Sequence, residues 1–299
     1  MMNWRNLLIA LAALALPAAI VHAAAPAEDW TGRDSNAAQS LGAQVYQGTC
    51  AACHDAGVGR APQRFILQDM TPEAIHTALA QGVMRPQASA LSAEQKSAVA
   101  EYLTGRKLGS TSTAAAPNMC KGAAARFDLA EPPVFTGWGL DAASTHAIPS
   151  SVSGLGSANA PRLRLKWAFA FPGSQRARSQ PALAGGAILV GNHNGMVYAL
   201  DRETGCIRWA FPAAAEVRTG IVVSPWVAGN PAARPLVYFG DVSGNAYAVS
   251  LLDGKLAWRI KADLHPAATI TGTPTLHGGT LYVPVSSLEE AFATSPAYS

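Results

Sequence analysis

Hydrophobic residues recur at helical spacing in the first third of the chain. Leu41, Val45 and Tyr46 fall on one face of a stretch that leads into residue 47, and they predict a helix there. Gly42 lies on the same stretch. Because glycine has no side chain, it would allow a second helix to pack closely at this point.

A second helix is predicted about fifty residues later. Ser92 followed by Gln95 forms a capping box, which marks a helix start. Val99 and Leu103 continue an apolar stripe, and Gly105 marks the end of the helix. The two helices predict a small all-α domain.

The pattern changes at residues 109–117, which read GSTSTAAAP and predict a linker that we extend to residue 118. Beyond it, short runs of β-forming residues alternate with Gly, Asn, Asp and Pro, as is typical of strands joined by tight turns. The remainder of the chain is therefore predicted to be all-β.

The β-region repeats itself. Residues 191–209 and 240–258 align without a gap, 49 residues apart. Shared positions are Gly191 with Gly240, Gly195 with Gly244, Tyr198-Ala199 with Tyr247-Ala248, Gly205 with Gly254, and Trp209 with Trp258. Partial copies occur at 165–169 and 273–283. Repeats of 40 to 50 residues built from strands and turns predict β-propeller blades, with room for three to four of them from about residue 134.

Two local predictions follow from the repeat. Gly195 and Gly205 are expected at hairpin turns, where a positive φ is often required. Trp209 ends its repeat and is expected to pack against the next blade.

The N-terminus predicts an export signal. Arg5 precedes the apolar run Leu7–Ile20, and Val21-His22-Ala23 resembles a cleavage site. A membrane anchor is the alternative, but the apolar run has 14 residues, fewer than the roughly 20 that span a bilayer. We therefore expect a periplasmic protein with no membrane span after signal removal. The expected domains are a signal peptide at 1–23, a helical domain at 24–108, a linker at 109–118 and propeller blades at 119–299.

Composition narrows the possible functions. Hydrophobic residues make up 49% and charged residues 14% of the chain, so wholesale disorder is excluded. The net charge is +3 and no basic run is interleaved with aromatic residues, so nucleic acid is not an expected partner.

The most informative motif is Thr-Cys-Ala-Ala-Cys-His at residues 49–54. A C-x-x-C-H run attaches a c-type haem, with Cys50 and Cys53 forming thioether bonds and His54 as proximal iron ligand. A zinc site would need two further nearby ligands, and a thioredoxin-like pair would need a βαβ context. The flanking helices favour haem c.

The other two cysteines, Cys120 and Cys206, are expected to pair with each other in an oxidising compartment.

The distal haem ligand has three candidates, Met70, Met84 and His76. Met84 follows Gly82-Val83 in a loop before the last helix, which resembles the distal loop of class I cytochromes c. Residues 36–106 as a whole resemble a class I cytochrome c. This resemblance makes Met84 the preferred ligand, and it implies that the carbonyl group of Pro62 accepts the Nδ1 proton of His54.

The β-repeat also resembles a known family. Ala199-x-Asp201-x-x-Thr204-Gly205-x-x-x-Trp209 is similar to the tryptophan-docking repeat of the pyrroloquinoline quinone (PQQ) dehydrogenases. WD40 and kelch signatures fit less well. A cytochrome c followed by such blades resembles the quinohaemoproteins of the polyvinyl-alcohol-dehydrogenase-like group, as does the stretch 281–290.

This resemblance implies two further cofactors, PQQ and Ca²⁺. Residues expected to bind PQQ precede or follow the blade strands; they are Arg178, Arg218, Thr219, Thr273, Ser286 and Ser287. Glu289 or Glu290 is the expected calcium ligand. The family has about eight blades and an adjacent Cys-Cys pair, which this sequence lacks. We therefore expect an incomplete active site and assign no catalytic base.

Two functions are consistent with this sequence. The first is the N-terminal part of a PQQ-dependent alcohol dehydrogenase, which passes electrons from the quinone to haem c. A soluble cytochrome, a blue-copper protein or the respiratory chain would then accept them. The second is a cytochrome c fused to a non-enzymatic β-propeller that serves as a binding or scaffold module.

Overall fold

The computed structural model of the protein describes residues 39–56, 58, 61–109, 118–133, 137–139, 147–172, 174 and 176–289. The predicted signal peptide and residues 110–117 of the predicted linker lie outside this part of the chain. Within the described part, no helix is long and apolar enough to cross a membrane.

Short helices form the N-terminal region. They are α1 (Leu41–Val45), α2 (Ala51–His54), α3 (Arg64–Gln68), α4 (Pro72–Ala80) and α5 (Ala93–Thr104). One further short helix, α6 (Ser150–Ser153), lies after the linker and before the sheets. A π-helical turn, Tyr46–Cys50, joins α1 to α2, and 3-10 turns occupy Gly122–Ala125 and Ala160–Arg162.

Helix α5 begins and ends as predicted. Ser92 Oγ accepts the amide of Gln95 at 3.1 Å, and Gln95 Oε1 accepts the amide of Ser92 at 2.9 Å. This confirms the capping box, which satisfies two amides that have no partner inside the helix. Gly105 ends α5 in the left-handed conformation, with φ of 65°.

Helices α1 and α5 pack against each other at Gly42. A Cβ atom added there would lie 2.2 Å from the carbonyl oxygen of Ala98 on α5, so only glycine fits. The close approach predicted from the sequence is thus confirmed. The contact is part of one apolar core, formed by Val45, Tyr46, Leu67, Ile75, Leu79, Ala88, Val99, Ala100 and Leu103.

The rest of the described chain is dominated by antiparallel sheets. Sheet 1 contains β1 (Ala182–Ala184), β2 (Ala187–Gly191), β3 (Met196–Asp201) and β4 (Ile207–Pro212). Sheet 2 contains β5 (Val222–Val223), β6 (Leu236–Gly240), β7 (Asn245–Ser250) and β8 (Leu256–Lys261). Two shorter pairs join β9 (Ala268–Thr269) with β12 (Ser286–Ser287), and β10 (Thr275–His277) with β11 (Thr280–Tyr282).

The sequence repeat is also a structural repeat. Ala199 faces Trp209 across β3 and β4, and Ala248 faces Trp258 across β7 and β8. A register shift follows at the same place in both sheets. Each sheet has the strand order of a propeller blade, but the predicted count of three to four blades stays a prediction.

Tryptophans connect successive repeats. The Trp209 indole packs on Gly254 in the β7–β8 turn and donates to the carbonyl oxygen of Leu251 at 2.7 Å. Trp167 likewise packs on Gly205 in the β3–β4 turn and donates to Arg202 at 3.0 Å. Both glycines have positive φ, which confirms the predicted turn at Gly205. The predicted packing of Trp209 against the next repeat is also confirmed.

A disulfide bond joins Cys120 to Cys206, as expected from the sequence. Residues 118–120 run parallel to the start of β4, where Cys120 donates its amide to Ile207 at 2.8 Å. This segment therefore pairs with the first residue of β4, the outer strand of sheet 1.

Replacing Trp209 by Phe should lower the free energy of unfolding by about 1–3 kcal/mol, because the buried Leu251 carbonyl loses its donor. Trp258→Phe is the matched control, since no hydrogen bond of its indole occurs in the described part of the chain. Denaturant unfolding followed by near-ultraviolet circular dichroism measures both. Equal losses in the two variants would contradict a special role for the Trp209 contact.

Candidate functional site

The Cys-x-x-Cys-His motif lies on the π-helical turn and α2, along an apolar crevice. Cys50 is half-buried, Cys53 is exposed and His54 is 7% exposed, and all three line the crevice. Its apolar walls come from Leu67, Ile75, Leu79, Ala88, Leu91, Val99 and Leu103. Two thiols and an imidazole beside apolar walls fit the requirements of a covalently bound haem c.

The ring of His54 is held by a hydrogen bond at Nδ1. The carbonyl oxygen of Pro62 lies 2.7 Å from this atom and accepts its proton. The hydrogen bond implied by the cytochrome resemblance is therefore present. Because Nδ1 carries the proton, Nε2 keeps its lone pair for a metal ion.

Two of the three distal-ligand candidates reach the crevice. Met70 and Met84 line it, whereas His76 on α4 does not. The main chain of Met70 makes hydrogen bonds at both of its polar groups. Its amide donates to the carbonyl oxygen of Leu67, and its carbonyl group accepts from Arg106. The main chain of Met84 is bonded at both its amide and its carbonyl group in the same way, through Ala78 and Ala88. Main-chain contacts therefore do not separate the two methionines, and the assignment of Met84 as iron ligand stays a prediction.

An arginine beneath the crevice was not anticipated from the sequence. The Arg64 guanidinium lies 5.0 Å from the ring centroids of both Tyr46 and Tyr102, and it donates to the Tyr102 hydroxyl at 2.5 Å. Tyr46 in turn donates to Asp55 at 2.5 Å. Burial and the Asp55 carboxylate both raise the pKa of Tyr46, so the phenol stays protonated. This network braces the π-helical turn that carries Cys50.

The crevice is joined directly to the β-region. Thr71 donates its amide to the carbonyl oxygen of Ala214 at 2.8 Å, and Glu216 donates its amide to Asp69 at 3.4 Å. Between these bonds, Met70 and Ala215 form an antiparallel bridge. A residue that lines the crevice is thus paired with the loop between the two sheets.

Arg106 strengthens this junction. Its guanidinium donates to the carbonyl oxygen of Met70 and, at 3.2 Å, to Asn194 in the β2–β3 turn. Burial lowers the pKa of Arg106, while the nearby Glu73, Asp69 and Glu216 carboxylates oppose this effect. A half-buried arginine facing carboxylates remains charged, and Arg106 links the end of α5 to sheet 1.

Glu216 lies at the centre of a group of basic side chains, which we call the arginine cluster: Arg176, Arg178, His193 and Arg218 around Glu216. The Glu216 side chain is only 1% exposed. Arg218 donates to it at 2.9 Å, the His193 ring lies 3.2 Å away, and Arg176 and Arg178 each lie 3.8 Å away. Burial alone would raise the pKa of Glu216, but the His193 and Arg218 contacts outweigh it and hold the pKa at about 2.

The structure thus brings together two of the predicted PQQ residues, Arg178 and Arg218. They occupy equivalent places before β1 and β5. Arg176, His193 and Glu216 are members of the cluster that sequence reasoning missed.

Two predicted hydroxyl residues have structural bonds of their own. Thr219 is buried, and its Oγ1 accepts the amide of Gly240 at 3.1 Å. Thr273 Oγ1 accepts the amide of Gly220 at 2.8 Å. These bonds join the segments that lead into the inner strands, so both hydroxyls position the backbone beside Arg218.

The remaining predicted residues lie on another strand pair. Ser286 and Ser287 form β12 and are exposed, and Ser287 donates to Glu289 at 2.6 Å. Glu290 lies outside the described residues. Among the residues that the structure describes, no group of three or more His, Cys, Asp or Glu side chains could hold a metal ion. Calcium binding by Glu289 stays a prediction.

Comparisons with known proteins agree with this two-part organisation. Residues 92–296 match the PQQ_2 family model, described as "Outer membrane protein assembly factor BamB". Residues 37–103 match the model described as "Cytochrome C oxidase, cbb3-type, subunit III".

Two curated relatives are both named polyvinylalcohol dehydrogenase. The protein from Pseudomonas sp. is 36% identical over 85% of this chain and 41% of its own length. That from Sphingopyxis sp. (strain 113P3) is 30% identical over 99% of this chain and 47% of its own length. Among solved structures, a europium-containing methanol dehydrogenase is 24% identical, with 44% of this chain and 24% of that chain covered and a TM-score of 0.35.

The chain belongs to the PQQ_2 family. In combining this region with a cytochrome domain, it is similar to the PQQ-dependent cytochrome dehydrogenases of the polyvinyl-alcohol-dehydrogenase-like group. The family resemblance seen in the sequence is confirmed. Haem c, PQQ and Ca²⁺ are the cofactors of this group, in agreement with the prediction. The chain spans less than half the length of the two curated relatives.

Replacing Met84 by Ala should convert the ferric haem from low spin to high spin, because a thioether ligand is lost. The visible spectrum measures this change. Met70→Ala is the matched control, since both side chains line the crevice, and it should keep the low-spin spectrum. A reversed result would transfer the ligand role to Met70.

Replacing Glu216 by Gln should destabilise the protein at neutral pH by on the order of 3 kcal/mol. The folded pKa of about 2 lies below the unfolded value, so the ionised carboxylate stabilises the fold above about pH 4.5. This contribution is lost as the pH falls from 4.5 towards 2, and the two proteins should converge there.

Denaturant unfolding at a series of pH values measures this difference. Glu203→Gln is the control, because Glu203 forms only exposed surface ion pairs and should change stability little. A Glu216→Gln deficit that is absent at neutral pH, or constant down to pH 3, would show that the cluster does not stabilise the fold.

Proposed function

We propose that this chain is the electron-transfer part of a periplasmic PQQ-dependent alcohol dehydrogenase. In this proposal the signal peptide 1–23 is removed, residues 24–108 form the cytochrome domain, and 119–299 form three to four propeller blades after the linker 109–118. The names of the two curated relatives support a polymeric secondary alcohol as substrate. A soluble cytochrome, a blue-copper protein or the respiratory chain accepts the electrons.

One observation carries the proposal. The Met70–Ala215 bridge connects a residue of the haem crevice to the loop that ends in Glu216, around which Arg178 and Arg218 gather. Only a few bonded residues therefore separate the crevice from the arginine cluster. Such a short and rigid connection suits electron transfer between two cofactors.

The haem crevice fits its cofactor through its own residues. Cys50 and Cys53 would hold haem c by thioether bonds, and His54 Nε2 would face the iron, since Pro62 holds the proton at Nδ1. Met84 would complete the ligand set. The apolar walls exclude water, and a thioether ligand raises the reduction potential relative to a second imidazole.

The arginine cluster fits PQQ in its charge. PQQ, when bound, takes two electrons from an alcohol and releases them one at a time. Arg176, Arg178 and Arg218 carry three positive charges against the single charge of Glu216, so the cluster retains an excess that suits the carboxylates of PQQ. Arg218 Nε is buried without a hydrogen-bond partner among the described residues, which leaves a donor for a ligand. Ser286, Ser287 and either Glu289 or Glu290 would contribute from the β12 segment.

The test is a reduced-minus-oxidised haem spectrum of the periplasmically expressed chain. We expect haem reduction only when PQQ, Ca²⁺ and an alcohol are all present. A c-type spectrum that is indifferent to PQQ and alcohol would instead support a cytochrome fused to a non-enzymatic propeller module.

Direct titration with PQQ tests the cluster without turnover. Arg178→Leu should weaken PQQ binding at least tenfold, because a charge-assisted contact is lost. Arg234→Leu is the control, since this exposed arginine donates only to the neighbouring carbonyls of Pro231 and Ala233. Equal affinities in the two variants would exclude Arg178 from the PQQ site.

A further inference from the structure

A second cavity lies between the cytochrome domain and the β-sheets. It has a volume of about 710 Å³ and is lined on one side by α4 and the loop at Gly82-Val83, and on the other by Pro212–Ala214 at the end of β4 and by Arg259 on β8. We call it the interdomain cleft. Its volume lies within the range of about 300–1,000 Å³ that is typical of small-molecule sites.

The interdomain cleft shares a wall with the haem crevice. Met70, Ala78 and Val83 line both cavities. Val83, which belongs to this shared wall, is 85% exposed. A molecule in the cleft would therefore be separated from a haem in the crevice by a single layer of side chains. The cleft is suited to a molecule that exchanges electrons with the haem.

Two charged side chains of the cleft have unused hydrogen-bonding capacity. Glu73 Oε1 accepts the amide of Gly109 at 2.7 Å, but its Oε2 is buried without a hydrogen-bond partner among the described residues. Arg259 is exposed on β8, and its guanidinium makes no hydrogen bond or ion pair with the described residues. A buried carboxylate oxygen without a donor is destabilising, and a ligand hydroxyl would relieve this cost.

These groups define the ligand's chemistry. Arg259 donates, so it selects a carbonyl or phenolate oxygen, while Glu73 accepts, so it selects a hydroxyl group. A small quinone presents carbonyl oxygens before reduction and hydroxyl groups after it. The apolar side chains of Met70, Ala78 and Val83 would contact its ring.

We propose that the interdomain cleft binds a small benzoquinone-type electron acceptor, distinct from PQQ, and lets it take electrons from haem c. Two protein molecules each give one electron as their ferrous haem becomes ferric. The quinone takes up these two electrons and two protons from water, and it leaves as the hydroquinone. The cleft is thus a site where electrons leave the protein.

The kinetic test uses the full chain with haem attached and without PQQ. The haem is reduced with ascorbate, the reductant is removed, and 1,4-benzoquinone is mixed in by stopped flow. The rate of haem oxidation should saturate with quinone concentration. In Arg259→Gln the half-saturating concentration should rise at least tenfold. Lys255→Gln is the matched control, because Lys255 is exposed at the start of the same hairpin strand and pairs with Asp253.

A binding measurement makes the test independent of electron transfer. Resorcinol carries two hydroxyl groups on an aromatic ring and is not reduced by the haem. Calorimetry should show one resorcinol bound per oxidised chain, with affinity lowered at least tenfold in Glu73→Gln and in Arg259→Gln. Glutamine at position 73 keeps an acceptor for Gly109, and an unchanged haem spectrum in each variant shows that the cytochrome is folded.

A linear dependence on quinone concentration, or saturation that Arg259→Gln leaves unchanged, would overturn the proposal. So would the absence of resorcinol binding. Both measurements omit PQQ and alcohol. Their failure would therefore leave the proposed dehydrogenase function intact, and failure of the PQQ-dependent assay would leave the cleft proposal intact.

Discussion

The carboxylate of Glu216 is almost fully buried, and it remains ionised there because it contacts His193 and the guanidinium group of Arg218. The main chain of the same residue donates to Asp69 in the cytochrome domain and accepts from Val242 in the β6–β7 turn of sheet 2. His193 belongs to the β2–β3 turn of sheet 1. One residue thus connects three parts of the protein, and the position of the haem crevice over the sheets depends on it.

The loop that carries Glu216 is also held by a buried tyrosine and aspartate, Tyr247 and Asp241. The Tyr247 hydroxyl accepts the amide of Ala214 at 3.0 Å and donates to Asp241 at 2.7 Å. Burial raises the pKa of Asp241 and of Tyr247, so the tyrosine stays protonated and continues to donate. Since Ala214 also binds Thr71, the junction is braced on both faces. Its geometry is set by the fold before any cofactor binds.

Local sequence patterns predicted the helix ends, the turns and the repeat. They did not predict the side-chain contacts between residues that are far apart in the sequence. The capping box at Ser92, the close helix contact at Gly42 and the turn at Gly205 each depend on residues near in sequence or on a repeat. Arg178 and Arg218 were each predicted from their places beside blade strands and from the family resemblance, and the structure shows that they lie on the same carboxylate. Glu216 has no equivalent in the other repeat, and Arg106 contacts Asn194 across 88 positions, so no periodicity points to either contact.

The two pairs of cysteines must be in opposite oxidation states in the same polypeptide. Cys120 and Cys206 are oxidised to each other, whereas Cys50 and Cys53 must be thiols when they react with haem. Cys206 is buried in the β-region, and Cys53 is exposed on α2. In the folded chain, a reductant that keeps the haem motif as thiols can therefore reach Cys53 but not the buried Cys206. This difference in burial lets the haem motif be reduced while the disulfide bond persists. The order of folding and haem attachment then decides whether one pair becomes a disulfide and the other pair binds haem.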